Sequence, residues 1–313
     1  MPEEHYTWLP RSDILTFEEL SYLVDAFMET GVDRVRLTGG EPLLRRDLPV
    51  LVEMLAAKSG LSEIALTTNA VLLRGQAKSL RDAGLNRVTI SLDTLQPQRF
   101  RSLTRRDEHQ RALDGIDAAR AAGLAQGLKI NTVVMRGTND DELAEMVAFG
   151  RSIGAEVRFI EYMDVGGATH WSQQQLVSKA EILRRLADHY GEIIPAETDP
   201  AAPAGRYQLS DGTVFGIVAS TTEPFCRTCD RARLTADGMW LTCLYATEGT
   251  DLRTPLRAGA SRRELRERIQ GIWGQRSDRG AEQRLELRAQ RGPLVQLPTL
   301  KSAPHLEMHT RGG

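Results

Sequence analysis

The sequence is poor in cysteine, with only three among its 313 residues. An odd and small number argues against the disulfide framework of a secreted protein. Cys226, Cys229 and Cys243 lie close together in the chain, and no other stretch contains cysteine. Their clustering predicts a metal or cluster site in the C-terminal third.

Long apolar runs and an excess of basic residues are missing as well. The sequence has no run of about 18 apolar residues, which predicts a protein without a membrane-spanning helix. Its first residues lack the basic and apolar segments of a signal peptide, so we expect a cytoplasmic protein. Lys and Arg number 40 against 42 Asp and Glu, a net charge of −2, which argues against a nucleic-acid polymer as partner.

Strand and helix patterns alternate over the first two thirds of the chain. Capping boxes from Thr16 to Glu19 and from Ser178 to Glu181 mark the starts of two helices. We predict strands at 34–37, 63–67, 87–91, 128–135 and 157–161, and helices near 48–58, 73–83, 109–122, 140–153 and 178–190. This alternation predicts parallel βα units, and therefore an α/β fold with an open or partial (β/α) barrel or a doubly wound sheet.

Polar residues follow several of these strands, at the end where parallel sheets bind ligands. In the sequence TGGEP at 38–42, adjacent glycines let the backbone approach a ligand and Glu41 offers a carboxylate to a cation, although a plain βα turn is the alternative. Arg36 lies in an otherwise apolar strand, where a charged side chain is expected to be paired or functional. Lys129 opens another strand and would meet an anion if it points inward.

The pattern changes near residue 195. Three prolines in an Ala-rich stretch at 195–203 predict a linker, and Asp-Gly pairs at 211–212 and 237–238 predict hairpin turns. If the second pair forms a two-residue turn, Cys243 lies opposite Ala232, and the hairpin brings the three thiolates together. A last helix is predicted to begin at the capping box from Ser261 to Glu264.

Three thiolates suit two kinds of site. One is a zinc site with a fourth ligand from elsewhere, and the other is a [4Fe–4S] cluster with one iron left open. Arg231 and Arg233 point to one face of an extended segment beside the cysteines, where they would form a forked site for a phosphate or a carbonyl edge. A solvated charged strand is the alternative interpretation.

Five segments together resemble one protein family. They are VRLTGGEPLLRRDL, ALTTNA, VTISLDTL, RFIEYMDVG and CRTCDRARLTADGMWLTCL. In order and spacing they resemble the GTP 3′,8-cyclases of molybdenum cofactor biosynthesis, which are radical S-adenosylmethionine (SAM) enzymes. The closing Gly312-Gly313 is similar to that family's C-terminal tail, which reaches into the active site.

The resemblance implies a fold and a set of site residues. The fold is a partial TIM-like (β/α) barrel of the radical SAM type at 1–195, which binds SAM, and a C-terminal region at 196–313, which binds a [4Fe–4S] cluster and GTP. SAM would be contacted by Gly40, Glu41, Ser91, Arg158 and Met163. GTP would be held by Arg36, Thr67, Lys129, Arg231, Ala232, Arg233, Gly312 and Gly313, and the cluster by Cys226, Cys229 and Cys243.

The resemblance also implies the chemistry. In the family a 5′-deoxyadenosyl radical takes the ribose 3′ hydrogen of GTP, and the sugar carbon then closes on C8 of guanine to give 3′,8-cyclo-7,8-dihydro-GTP. We therefore expect cyclic pyranopterin monophosphate synthase as the next enzyme, no membrane partner, and a homodimer as one assembly to test for.

One motif of the family is missing. Its first [4Fe–4S] cluster, which cleaves SAM, is held by Cys-x3-Cys-x2-Cys in the loop after the first strand, and the sequence has no such motif. The opening stretch MPEE resembles the family's residues directly after the third cysteine of this motif, so we expect a truncation or a misplaced start codon. We therefore expect a barrel without its first strand. The SAM-cleaving cluster, a second [4Fe–4S] cluster beside the one at the three cysteines, is expected only in a full-length protein. As written, the chain has no radical-generating residue and is predicted to be inactive. The alternatives are a non-catalytic GTP-binding [4Fe–4S] protein and a zinc-stabilised α/β protein.

Overall fold

The computed structural model describes residues 9–165, 171–287 and 290–295, and within them the chain forms two sheets and ten α-helices. The strands are β1 (Arg34–Leu37), β2 (Glu63–Thr68), β3 (Arg87–Ser91), β4 (Lys129–Val134), β5 (Glu156–Glu161), β6 (Ile193–Pro195), β7 (Gly205–Leu209), β8 (Val214–Val218), β9 (Arg233–Leu234), β10 (Met239–Leu241) and β11 (Thr250–Asp251). The helices are α1 (Phe17–Met28), α2 (Leu48–Ala56), α3 (Ala77–Asp82), α4 (Pro97–Thr104), α5 (His109–Ala119), α6 (Leu143–Ile153), α7 (Lys179–Tyr190), α8 (Arg253–Arg257), α9 (Arg262–Gly274) and α10 (Gly280–Glu286).

The larger sheet has eight strands in the order β1-β2-β3-β4-β5-β8-β7-β6. Strands β1 to β5 pair in chain order and in parallel, β8 joins β5 in parallel, and β7 and β6 are antiparallel. The α/β fold class and the five predicted strands are confirmed to within a residue or so at each end. The closing of this sheet into a partial barrel and the absence of a first strand stay predictions.

The two faces of the parallel strands differ in chemistry. Side chains of a strand alternate between faces, and one set, which includes Ile64, Leu66, Val88 and Ile90, is buried in the main hydrophobic core with the helices. The opposite face, called the inner face here, carries polar and charged side chains, among them Arg36, Thr67, Thr89, Lys129 and Arg158. Helix α4 was not predicted from the sequence. Phe100 is its only buried residue, so its sequence has almost no apolar periodicity.

The stretch predicted as a linker is part of a hairpin. Pro195 at the end of β6 pairs with Tyr207 of β7, and the amide of Ala196 donates to the carbonyl of Arg206. Residues 196–204 are therefore the loop between two paired strands, and the linker prediction is wrong. The eight-stranded sheet continues across residue 195, and the division of the chain at that residue stays a prediction.

The hairpin of β9 and β10 belongs to the smaller sheet, and its turn is one residue longer than expected. Arg233 pairs with Leu241, and the amide of Thr235 donates to the carbonyl of Met239, so three residues form the turn. Gly238 takes a φ of +88°, which suits a three-residue hairpin loop with glycine in the left-handed region. The predicted two-residue turn is therefore wrong, and the register, if continued, places Cys243 opposite Arg231 instead of Ala232.

A second core joins this hairpin to α1 and α9. Trp240 of β10 is buried with Leu23 of α1 and with Leu265 and Ile269 of α9. The capping boxes at Thr16 and Ser261 are confirmed. None of the helices in the described ranges is both long and apolar enough to cross a membrane.

Candidate functional site

The glycine loop after β1 is fixed by the carboxylate of Glu41. Its Oε1 accepts hydrogen bonds from the amide of Leu43 at 3.0 Å and from Oγ1 of Thr68 at 2.7 Å, and its Oε2 accepts from the amide of Asn69 at 2.8 Å. Glu41 therefore ties the loop after β1 to the end of β2. Gly40, the preceding residue, is exposed.

Arg36 of β1 lies on the inner face. Its Nη1 donates to Oγ1 of Thr67 on β2 and to Oγ1 of Thr89 on β3, both at 3.1 Å. Although the Arg36 residue is exposed overall, loss of water around its guanidinium, together with the charge of the nearby Arg87, lowers its pKa to about 10. A cation is thus held among hydroxyl groups, with no carboxylate bonded to it in the described part of the chain.

Lys129 and Arg158 continue this row of cations. Lys129 of β4 pairs in register with Thr89 on one side and with Glu156 of β5 on the other. Burial and the charge of Arg158 lower the pKa of Lys129 to about 8, although Glu156 acts in the other direction. The structure thus places Arg158, a predicted SAM contact, beside a predicted GTP contact.

Two carboxylates neutralise part of this charge. Glu63 accepts from Nε and Nη2 of Arg87, at 2.9 and 2.5 Å, and Glu156 accepts from Arg158 at 2.7 Å and from Arg206 at 3.1 Å. The sequence prediction missed Arg87 and Arg206. The alternation of Arg, Thr and Ser in the strand 87–91 is the signal that could have revealed Arg87.

The inner face is therefore positively charged overall. Six cations lie on this face by strand alternation, against the two carboxylates Glu63 and Glu156, and they are Arg34, Arg36, Arg87, Lys129, Arg158 and Arg206. A face of this kind attracts an anion that carries several charges.

The first of the two arginines that follow the second cysteine lies near this face. Arg231 lies close enough to Arg36 for its charge to act on that group, and its guanidinium packs over the ring of Phe225 at 4.9 Å. Nη2 of Arg231 is buried and has no hydrogen-bond partner within the described ranges. Burial and the charge of Arg231 lower the pKa of Arg233, whereas Cys243 and Cys229 act to raise it. The arginine segment thus connects the inner face with the cysteines.

The three cysteines are half-buried free thiols. Cys226 opens a short 3₁₀ turn that ends before Cys229, and the amide of Tyr245 lies 3.4 Å from Sγ of Cys243. Burial acts to raise the pKa of Cys229, but hydrogen bonds and charge from Arg231 and a hydrogen bond from Arg276 outweigh it and lower the pKa. The donor set suits an iron–sulfur cluster, which needs thiolates.

The thiols do not form a compact site for a single ion. Within the described ranges, no three His, Cys, Asp or Glu side chains are grouped to hold one metal ion. A four-iron cluster binds each cysteine at a different iron atom, so its ligands stand further apart than the ligands of one zinc ion.

The remaining predicted residues lie at the strand ends or outside the described ranges. Met163, just after β5, packs in one apolar cluster with Cys226 and Cys243. Ser91 is exposed at the end of β3, next to Asn131 of β4, whose Oδ1 is buried and without a partner in the described ranges. Ala232 lies between the two arginines, and Gly312 and Gly313 lie outside the described residues.

Family models and curated relatives match the chain to the same family of proteins. Residues 3–150 match the family model of the radical SAM superfamily, and residues 155–282 match the model described as Molybdenum Cofactor Synthesis C. The chain is 57% identical to GTP 3′,8-cyclase 1 of Mycobacterium tuberculosis, over 100% of this chain and 88% of that protein. It is 47% identical to the GTP 3′,8-cyclase of Acidothermus cellulolyticus (91% of this chain, 81% of the other) and 38% identical to that of Aquifex aeolicus (93% and 88%).

Proposed function

Because the chain belongs to the GTP 3′,8-cyclase family of radical SAM enzymes, we propose that it binds GTP at the inner face of its sheet and a [4Fe–4S] cluster at its three cysteines. The reaction that these two sites serve is that of the family, the conversion of GTP to 3′,8-cyclo-7,8-dihydro-GTP in molybdenum cofactor biosynthesis.

The observation that carries the GTP site is the excess of positive charge on the inner face. Arg36 and Lys129 lie there without a carboxylate bonded to them in the described ranges, and loss of water around their charged groups lowers the pKa of both, although part of the Arg36 side chain is exposed. A triphosphate would supply the missing negative charge. Arg36, Thr67 and Lys129 would hold it from the sheet, and Arg231, Ala232 and Arg233 would hold the nucleotide from the cysteine side.

The cluster site is supported by the donor set. Cys226, Cys229 and Cys243 would hold a [4Fe–4S] cluster, and with three ligands one iron is left open for the guanine base. The buried and unpartnered Nη2 of Arg231 supports a ligand close to these thiols, since a buried N–H without a partner is costly.

Three of the five predicted SAM contacts lie at one edge of the sheet, whereas Arg158 lies within β5. Gly40, Ser91 and Met163 follow or end β1, β3 and β5, so we propose that SAM binds along the C-terminal ends of these strands. The cluster that cleaves SAM requires three further cysteines. All three cysteines of this sequence belong to the motif at 226–243, so its residues do not fit that cluster and no step through it is assigned to them. A homodimer and delivery of the product to cyclic pyranopterin monophosphate synthase remain part of the proposal.

Calorimetric titration with GTP tests the nucleotide site. Arg36→Ala removes a cation from the inner face, and we expect GTP affinity to fall at least tenfold, since hydrogen bonds to charged groups contribute about 1.5–3 kcal/mol. The matched control is Arg101→Ala, which removes an exposed cation of α4 and is expected to leave the affinity unchanged. A wild-type chain that does not bind GTP, or equal affinities in both variants, would contradict the proposal.

A further inference from the structure

Arg276, two residues after the end of α9, contacts Cys229 through two of its nitrogen atoms. Its Nη1 donates to the carbonyl of Cys229 at 2.7 Å, and its Nη2 lies 3.7 Å from Sγ of the same residue. The guanidinium packs over the ring of Trp273 at 4.5 Å, and only 10% of the side chain is exposed. A single rigid cation therefore contacts both the backbone and the sulfur of Cys229.

The residues that follow Arg276 reach the other arm of the cysteine motif. Oδ2 of Asp278 accepts a hydrogen bond from Oγ1 of Thr242 at 2.6 Å, directly before Cys243, and lies 3.7 Å from Nε of Arg276. At Gly280 a Cβ atom would lie 3.2 Å from Sγ of Cys243, so the backbone passes close to that thiol. Residues 276–280 thus contact both arms of the motif.

We infer that Arg276 is a positioning residue of the three-cysteine site, which holds the Cys229 arm in place and raises the reduction potential of the cluster bound there. The inference rests on the proposed function, because it takes a [4Fe–4S] cluster to be bound at these cysteines. A reduced cluster carries one more negative charge than an oxidised cluster. A buried cation that donates to a ligand sulfur therefore stabilises the reduced form.

The reduction potential separates this role from a purely structural one. If Arg276 only packed against Trp273, its replacement would change stability or cluster content and leave the potential unchanged. The chain has three cysteines, so any iron–sulfur signal that it gives comes from this one site.

The experiment is a redox titration of the reconstituted protein, followed by electron paramagnetic resonance, with iron and sulfide counted in each sample. Arg276→Gln removes the charge, and Arg276→Lys keeps the charge but cannot contact the carbonyl and the sulfur through one planar group. The matched control is Arg268→Gln, which removes an exposed cation from α9. The rate of iron release to a chelator is a second measurement, and it reports how stably the cysteines bind the cluster.

We expect Arg276→Gln to make reduction at least tenfold less favourable, a shift of about 59 mV to lower potential for one electron, and to release iron faster. Arg276→Lys should shift the potential less, and Arg268→Gln should not shift it. A wild-type potential in Arg276→Gln would overturn the inference and leave the proposed function standing. If Arg276→Gln takes up no cluster, iron release from Arg276→Lys decides, and a wild-type rate of release there would overturn the inference. A wild-type chain without iron and sulfide would overturn the proposed function itself.

Discussion

Arg291 donates two hydrogen bonds to Asp164, from Nη2 to Oδ1 at 2.7 Å and from Nε to Oδ2 at 3.0 Å. Asp164 is fully buried directly after Met163, and Arg284 donates to the same carboxylate at 2.7 Å. Burial acts to raise the pKa of Asp164, but the two guanidiniums outweigh it and hold the pKa below its ordinary value. The segment around Arg291 is thereby fixed beside the end of β5 and the cysteines.

Replacing Asp164 by Asn should destabilise the protein strongly. Two arginines would remain buried without their anion, so we expect the free energy of unfolding to fall by about 3–5 kcal/mol in a denaturant titration. Because folding lowers the pKa of Asp164, the stabilisation is present above the ordinary pKa of 3.8 and is lost as the pH falls through the folded-state value. The matched control Asp188→Asn changes an exposed residue of α7, and its free energy of unfolding should stay within about 0.5 kcal/mol of the wild-type value. Equal stabilities of the two variants would contradict this account.

Glu41→Gln tests whether Glu41 ties two loops together in the absence of any ligand. One of its oxygens becomes an NH₂ group, which cannot accept from Thr68, Leu43 or Asn69. The free energy of unfolding should fall by about 1–3 kcal/mol. The amides of Leu43 and Asn69 should exchange their hydrogens with solvent faster than in the wild type. Glu53→Gln, an exposed change on α2, is the control. Unchanged exchange in ligand-free Glu41→Gln would show that the carboxylate does not hold these loops.

The affinity for GTP should depend on pH through Lys129. Burial and Arg158 lower its pKa to about 8, and a bound triphosphate would raise it again. Binding should therefore take up protons, and the affinity should fall as the pH rises above about 8. Calorimetry in buffers of different ionisation enthalpy measures this uptake. Lys129→Arg keeps its charge in this range and should remove the dependence; the same pH profile in the variant would assign the effect to another group.

The chain as written should not cleave SAM reductively. Its three cysteines all lie in the motif at 226–243, which leaves none for the cluster that cleaves SAM. Incubation with SAM, GTP and a low-potential reductant should give no 5′-deoxyadenosine above a sample without reductant. Formation of 5′-deoxyadenosine that depends on the reductant would show this prediction to be wrong.

Local pattern was enough to predict the strands and the first cations of the site. The two-residue alternation of the strands fixes which side chains share a face, so a charged residue such as Arg36 or Lys129 could be recognised in an apolar strand. The turn of the β9–β10 hairpin could not be predicted as well, because the Asp-Gly pair suits turns of two and of three residues, and the register depends on which one forms.

Contacts between distant parts of the chain could not be predicted from the sequence. Arg291 lies 127 positions from Asp164, and Arg276 lies 47 positions from Cys229. Both arginines belong to an Arg-rich stretch in which no pattern distinguishes a buried partner from a solvated charge. Packing against the cysteine region gives these two arginines their roles, and that packing is visible only in the fold.

Iron and sulfide counted per chain after anaerobic purification test the central claim most directly. The account predicts about four of each, with broad absorption near about 400 nm, and loss of both in Cys229→Ala. One zinc ion per chain without a chromophore, or neither metal nor sulfide, would contradict it.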